Sequence, residues 1–168
     1  MKTILIFNVD DYTYGLPIEN IKEIIRIVAF NPMPKQPPFV EGIFNLRGEV
    51  VPLIDFRRRF LMGVTEKDIS KRIIVSRFEK YVVGFLVDHV EAVKSFNESE
   101  LKDISNEKLG LDFNYIENIV LQDEQIVAML NLKSLFSKSE IDELDNFISQ
   151  KTEKTETKKK STPKTGKK

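Results

Sequence analysis

The sequence predicts a mainly β fold, a barrel or sandwich of short strands with few helices. Three observations predict it. Short apolar runs rich in Ile, Val, Phe and Tyr recur along most of the 168 residues. Tight turn signals separate them at close spacing. Helical periodicity is confined to a few short stretches, a balance that fits an all-β core better than an alternating α/β one.

The elements follow in order. Thr3 to Val9 alternates and meets a turn at Asp10-Asp11 before a second strand, Tyr12 to Leu16. The stretch from Pro17 to Val28 carries two signals. Ile18, Ile21, Ile24, Ile25 and Val28 recur at helical spacing behind a proline suited to a helix start. Ile24 to Phe30, however, is β-branched like a strand. One helical turn followed by a strand satisfies both. NPMPKQPP then packs four prolines into an extended loop. Asp55 is placed to cap a short helix through Arg57 to Met62. Lys71 to Phe78 and Tyr81 to Val87 flank a hairpin turn at Glu79-Lys80, and His89 to Phe96 gives a further strand. Tyr115 to Leu121 and Gln125 to Leu130 flank Gln122-Asp123-Glu124. Leu132, Leu135 and Phe136 suit another helical turn or two. Ser139 is placed to cap a last helix whose Ile141, Leu144, Phe147 and Ile148 share a face, and order is expected to end near Gln150.

Composition narrows the function. The chain is 41% hydrophobic and 31% charged, as soluble globular proteins are. No apolar run approaches the ~20 residues of a membrane helix, so direct membrane insertion is not expected. The opening MKTILIFNVDDYTYG turns acidic within a few residues and lacks a small-residue cleavage site, so it reads as a first strand and not as a signal peptide. There is no cysteine, which fits a cytoplasmic chain and excludes disulfides and thiolate metal sites. With His89 as the single histidine, a Ser-His-Asp arrangement or a zinc site has little to draw on. Neither a P-loop nor a GxGxxG occurs. Carboxylate catalysis stays open, but no pair of acids stands out by spacing. The expectation is a protein that is not an enzyme and needs no cofactor or metal. Residues 151–168 hold eight lysines and two glutamates, giving +6, against −6 for the rest of the chain. That tail has neither apolar anchors nor aromatics for base stacking, so it reads as a solvated, disordered terminus and nucleic acid is not an expected partner.

One stretch demands a partner. GIFNLRGEVVPLIDFRRRF, Gly42 to Phe60, sets Asn45 and Arg47 inside a doubled apolar run. Taken as strands Ile43 to Arg47 and Val50 to Ile54 joined by a Gly48-Glu49 turn, it pairs Arg47 with Val50 and Leu46 with Val51. Phe44, Leu46, Val51 and Leu53 then share a core face, and Asn45, Arg47, Val50 and Pro52 share the other. Pro52 cannot donate to a ladder, so the hairpin lies at a sheet edge or the ladder breaks there. The residues alone leave two readings of Arg47: contact with a partner, or an ion pair within its own domain. Nearby, Ile27, Val28 and Phe30 are too closely spaced for all to face one core. Either at least one faces out as a partner site, or the strand is buried on both faces.

The same stretch resembles the CheW family of bacterial chemotaxis coupling proteins, following its GxxNLRGxxxPxxDLRxxF pattern with Phe56 in place of the usual leucine. ILIFNVDDYTYGLPIENIKEII is similar to the family's opening, YVVGFLVDHVEAV to its VVGxxVDxVxxV segment, and MLNLKSLF to its closing motif. His89 departs from the small residue usual there. The likeness spans residues 1 to 142 in order, leaving 143–168 as the end of a C-terminal helix and the lysine-rich tail. It implies two small five-stranded β-barrels packed together, with short helices and a C-terminal helix. It further implies an adaptor, monomeric when free, that bridges the regulatory domain of the histidine kinase CheA to the cytoplasmic tip of chemoreceptors. Such a protein is cytoplasmic and recruited to receptor arrays at the inner face of the membrane. By resemblance Glu23, Gly42, Asn45, Arg47, Gly48, Val90 and Val93 belong to the receptor-binding groove, and Ile27, Val28, Phe30 and Asn31 to the kinase-binding surface.

Overall fold

Residues 1–104 and 114–160 are described by the computed structural model, with side chains up to residue 150. The first strands are β1 (Lys2–Val9) and β2 (Tyr12–Pro17), with Val9 opposite Tyr12, so Asp10-Asp11 is the turn. A 3-10 turn, Ile18–Asn20, leads into β3 (Ile21–Arg26), which resolves the mixed signal as one helical turn and then a strand. After the proline loop come β4 (Val40–Leu46), β5 (Glu49–Asp55) and a one-turn helix α1 (Phe56–Arg59). Next are β6 (Arg72–Phe78), β7 (Tyr81–Val87) and β8 (His89–Phe96). The two-residue β9 (Lys102–Asp103), unforeseen in the sequence, precedes β10 (Ile116–Gln122) and β11 (Gln125–Leu130). The last described elements are a 3-10 turn, Leu132–Ser134, and the helix α2 (Lys138–Lys160).

Three helix boundaries differ from expectation. Asp55 caps α1 as expected, its Oδ1 accepting from Arg57 N at 3.0 Å. The helix is shorter than Arg57 to Met62 because Leu61 turns to φ 59°, a left-handed stop. Ser137, not Ser139, caps α2. Its Oγ accepts from Glu140 N at 3.2 Å while Glu140 Oε2 accepts from Ser137 N at 2.9 Å, a reciprocal box set by Ser-x-x-Glu spacing. The backbone of α2 runs on to Lys160, past the Gln150 where its apolar pattern stops. Residues 161–168, the end of the expected tail, lie outside the described residues.

The strands form two packed sheets. The first has the order β8-β1-β2-β11-β10-β9 and the second β3-β6-β7-β5-β4. The chain begins in the first sheet, builds the whole second sheet, and returns through Asp88 to complete the first. The closed five-stranded barrels that the resemblance implied become open sheets of six and five strands among the described residues. In the second sheet the edges curl toward each other, but the loop that would knit β3 to β4 has prolines at 32, 34, 37 and 38, which lack an N–H. One isolated bridge forms there, Asn31 to Ile43.

Strand alternation fills three cores. From β1, Leu5, Phe7 and Val9 enter the core between the sheets, while Ile4 and Ile6 enter the core of the first sheet. From β6, Ile74 joins the shared core, and Ile73 and Val75 line the core of the second sheet. Phe56 of α1 lies in the shared core, its ring stacked on Phe7 of the first sheet at 5.6 Å and on Phe85 of the second at 4.6 Å. Leu144 and Phe147 of α2 close the same core.

Candidate functional site

The hairpin around Arg47 has a different register from the expected one. Leu46 pairs with Glu49, Asn45 with Val50 and Phe44 with Val51, so the turn is Arg47-Gly48. Both turn residues have positive φ, 51° and 87°, the type I′ geometry whose twist matches a hairpin. Asn45 Oδ1 accepts from Gly48 N at 2.8 Å and fixes the turn. The pairing slips by an even step, which leaves the paired side chains on their expected faces and moves Arg47 from the ladder into the turn. Phe44, Val51 and Leu53 line the core of the second sheet, with Leu46 packed against it. Pro52 stands just before the parallel ladder of β5 with β7 begins at Leu53, so its missing N–H falls where pairing has not started.

Arg47 therefore stands at the tip of an edge hairpin, its side chain 73% exposed. Its guanidinium donates two bonds to Glu23 of β3, Nη1 to Oε1 at 2.6 Å and Nη2 to Oε2 at 2.9 Å. The hydrogen bond from Arg47 is the main reason that the Glu23 carboxyl lies below its ordinary range. Lys22 and Glu49 approach at 3.6 Å beside this pair. Strands β3 and β4 occupy opposite edges of the sheet order, so these pairs tie β3 at one edge to the β4–β5 hairpin at the other, across a seam. Gly42 belongs to that seam. A Cβ there would lie 2.5 Å from the carbonyl oxygen of Asn31, and Ile43 exchanges two backbone bonds with Asn31 at 2.9 and 3.0 Å. The close approach that Gly42 permits is of the chain to itself.

The expected kinase-side residues continue from the seam. Ile27 and Phe30 pack against the core of the second sheet, and Lys67 Nζ lies 4.7 Å over the Phe30 ring. Val28 is the one that faces out, at 37% exposure. Val90 and Val93 stand apart from the seam on β8, in the first sheet. Val90 packs on the shared core and Val93 is 53% exposed. Glu23, Gly42, Asn45, Arg47, Gly48 and Asn31 thus converge on one seam, while the two valines lie on the other sheet.

A polar brace escaped the sequence reading. Asp88, buried between β7 and β8, accepts from Arg57 Nη2 at 2.8 Å, from Arg57 Nε at 3.2 Å and from Asp10 N at 2.6 Å. Lys71 Nζ lies 3.6 Å away. Burial opposes ionisation of Asp88, but the bonds from Arg57 and the Asp10 N–H outweigh it and hold the carboxyl below its ordinary range. Asp55 accepts from Thr65 N and Oγ1 at 2.8 and 2.6 Å. Arg58 reaches Glu41, and Arg59 reaches Glu140 and the Leu135 carbonyl. The three consecutive arginines thus tie α1 to both sheets and to α2. The signal was present: an acid closing β5, another directly after β7, and an arginine run between them. Among the described residues no group of three or more histidines and acids is placed to hold a metal. No described helix is long and apolar enough to cross a membrane.

Known proteins resemble this chain in sequence and in fold. The family model of the CheW-like domain matches residues 3–140. The chemotaxis protein CheW of Treponema pallidum is 27% identical over 145 residues, covering 84% of this chain and 85% of its own length. CheW of Thermotoga maritima is 29% identical over 143 residues, covering 83% and 91%. The crystal structure of the scaffolding protein TtCheW from Thermoanaerobacter tengcongensis superposes with a TM-score of 0.74 at 30% identity, covering 83% of this chain and 90% of that one. With the family pattern matched along the chain and the fold matched in space, this chain belongs to the CheW family.

Proposed function

We propose that this chain is a non-catalytic adaptor that couples the cytoplasmic tips of chemoreceptors to the histidine kinase CheA. The observation that carries the reading is Arg47, a guanidinium held out from an edge hairpin on a left-handed backbone position that glycine or asparagine would occupy with less strain. Its geometry suits a planar, charge-assisted contact that Glu23 pre-orients. The receptor-binding residues are Glu23, Gly42, Asn45, Arg47, Gly48, Val90 and Val93. Arg47 makes the contact, the glycines and Asn45 shape the turn and seam, and the valines supply apolar area. The kinase regulatory domain docks on Ile27, Val28, Phe30 and Asn31, with Val28 outward and Phe30 as the support beneath. Residues 1–142 carry both surfaces. The protein works in the cytoplasm at receptor arrays, monomeric until it joins them, and each interface gains from the multiplicity of the array.

Pull-down of a CheA regulatory domain and of a receptor cytoplasmic hairpin, run separately, tests this. Arg47→Ala should lose the receptor and keep the kinase, and Val28→Asp should do the reverse. Val28 is preferred to Phe30 for this test because Phe30 packs on the core. Folded wild type that retains neither partner contradicts the proposal.

A further inference from the structure

A groove of about 590 Å³ opens on the first sheet, away from the seam of the second. Its floor and walls include Tyr12, Tyr14, Phe60, Tyr115 and Ile126. Its charged lining residues, among the described ones, are two acids, Asp11 and Glu124. Each sits in or beside a tight turn whose other member is also acidic, Asp10 before Asp11 and Asp123 before Glu124. Tyr12 and Ile126 are each 57% exposed at the rim, a large cost in apolar area for a surface meant only for water.

The ring geometry limits what fits. Tyr14, Phe60 and Tyr115 stack in a row, with centroids 5.0 and 5.1 Å apart and interplanar angles of 25° and 27°. Their faces are occupied by one another, so they do not form a cage open to a small organic cation. The groove presents apolar contour below and negative charge above. We propose that it docks a peptide segment of a partner protein that carries an apolar anchor beside lysine or arginine. The anchor packs between Tyr12 and Ile126, and the cation meets Asp11 and Glu124. The lysine-rich residues 151–168 of this chain are a poor fit, since they contain no apolar side chain.

The probe is a synthetic amphipathic peptide of leucine and lysine with one tryptophan, read by fluorescence against a full-length chain that has no tryptophan. Binding to wild type is expected with a dissociation constant on the order of 10–100 μM. Tyr12→Ser combined with Ile126→Ser should weaken it at least about tenfold. Asp11→Asn combined with Glu124→Gln should weaken it about fivefold at low salt, with a flatter salt dependence. These four side chains lie at the rim, and circular dichroism verifies the fold of both variants. The proposal fails if a matched leucine-glutamate peptide binds as tightly, if both variants keep wild-type affinity, or if folded wild type does not bind. It also fails if reversing the charge of the tail lysines raises affinity, which identifies the tail as occupant. Concentration-dependent dimerisation abolished by the Tyr12 and Ile126 changes assigns the groove to a second copy and likewise overturns it.

Discussion

Arg47 separates contact from support at the level of one residue. Its ion pair with Glu23 is exposed and screened, and pairs of that kind add little to stability. Its backbone sits where glycine is at ease. Arg47→Gly is therefore expected to leave the melting temperature within about 3 °C of wild type while abolishing receptor binding, measured by thermal melts and pull-down. Asp88 behaves in the opposite way. Its folded carboxyl titrates below the ordinary value, so its contribution is fully present above about pH 4–5 and is lost as pH falls through the folded value. Asp88→Asn should cost about 2 kcal/mol at pH 7, from the charge-assisted bonds of Arg57 that it weakens. Urea midpoints measured from pH 7 down to about pH 3 should show the gap to wild type closing only at the acid end. A gap that is constant down to the lowest pH would contradict the assignment.

Strands and turns were mostly legible in the sequence because they obey local rules. Asp10-Asp11 and Glu79-Lys80 join strands in the expected register, with Val9 opposite Tyr12 and Phe78 opposite Tyr81. The Arg47 hairpin slipped because Gly48 invites a turn beginning at itself, whereas Asn45 anchors the Gly48 N–H and moves the turn back. Arg47 accepts the positive φ that this demands. Burial at Phe30 was harder to read, since alternation tells which residues share a face but not which face a neighbouring loop covers. The cap of α2 was misplaced by two residues for want of the Glu140 partner. Ser137→Ala should cost about 1 kcal/mol, while Ser139→Ala should stay within about 0.5 kcal/mol, by chemical denaturation. Equal effects would put the cap elsewhere.

Across the whole molecule, the interleaved path of the chain gives the two sheets a shared core beside the core of each. Local pattern cannot announce this, because β1 and β2 complete a sheet whose other strands arrive only after the second sheet is built. The family resemblance implies two packed units and a pairing of receptor and kinase surfaces, but not this interleaving. Phe56 shows what the shared core holds. It is fully buried against Phe7 and Phe85, from opposite sheets, so Phe56→Ala should cost about 3–5 kcal/mol and still give a single unfolding transition. Two separate transitions would mean that the sheets are independent. A rigid body of this kind can present two partner surfaces at fixed relative positions. The most direct measurement is assembly of a ternary complex from this chain, a CheA regulatory domain and a receptor cytoplasmic hairpin, followed by size-exclusion chromatography. All three should co-elute with wild type, and Arg47→Gly should give a folded chain that keeps the kinase domain and releases the receptor. A folded wild type that never joins the two partners, or an Arg47→Gly chain that still holds the receptor, would contradict the proposed function.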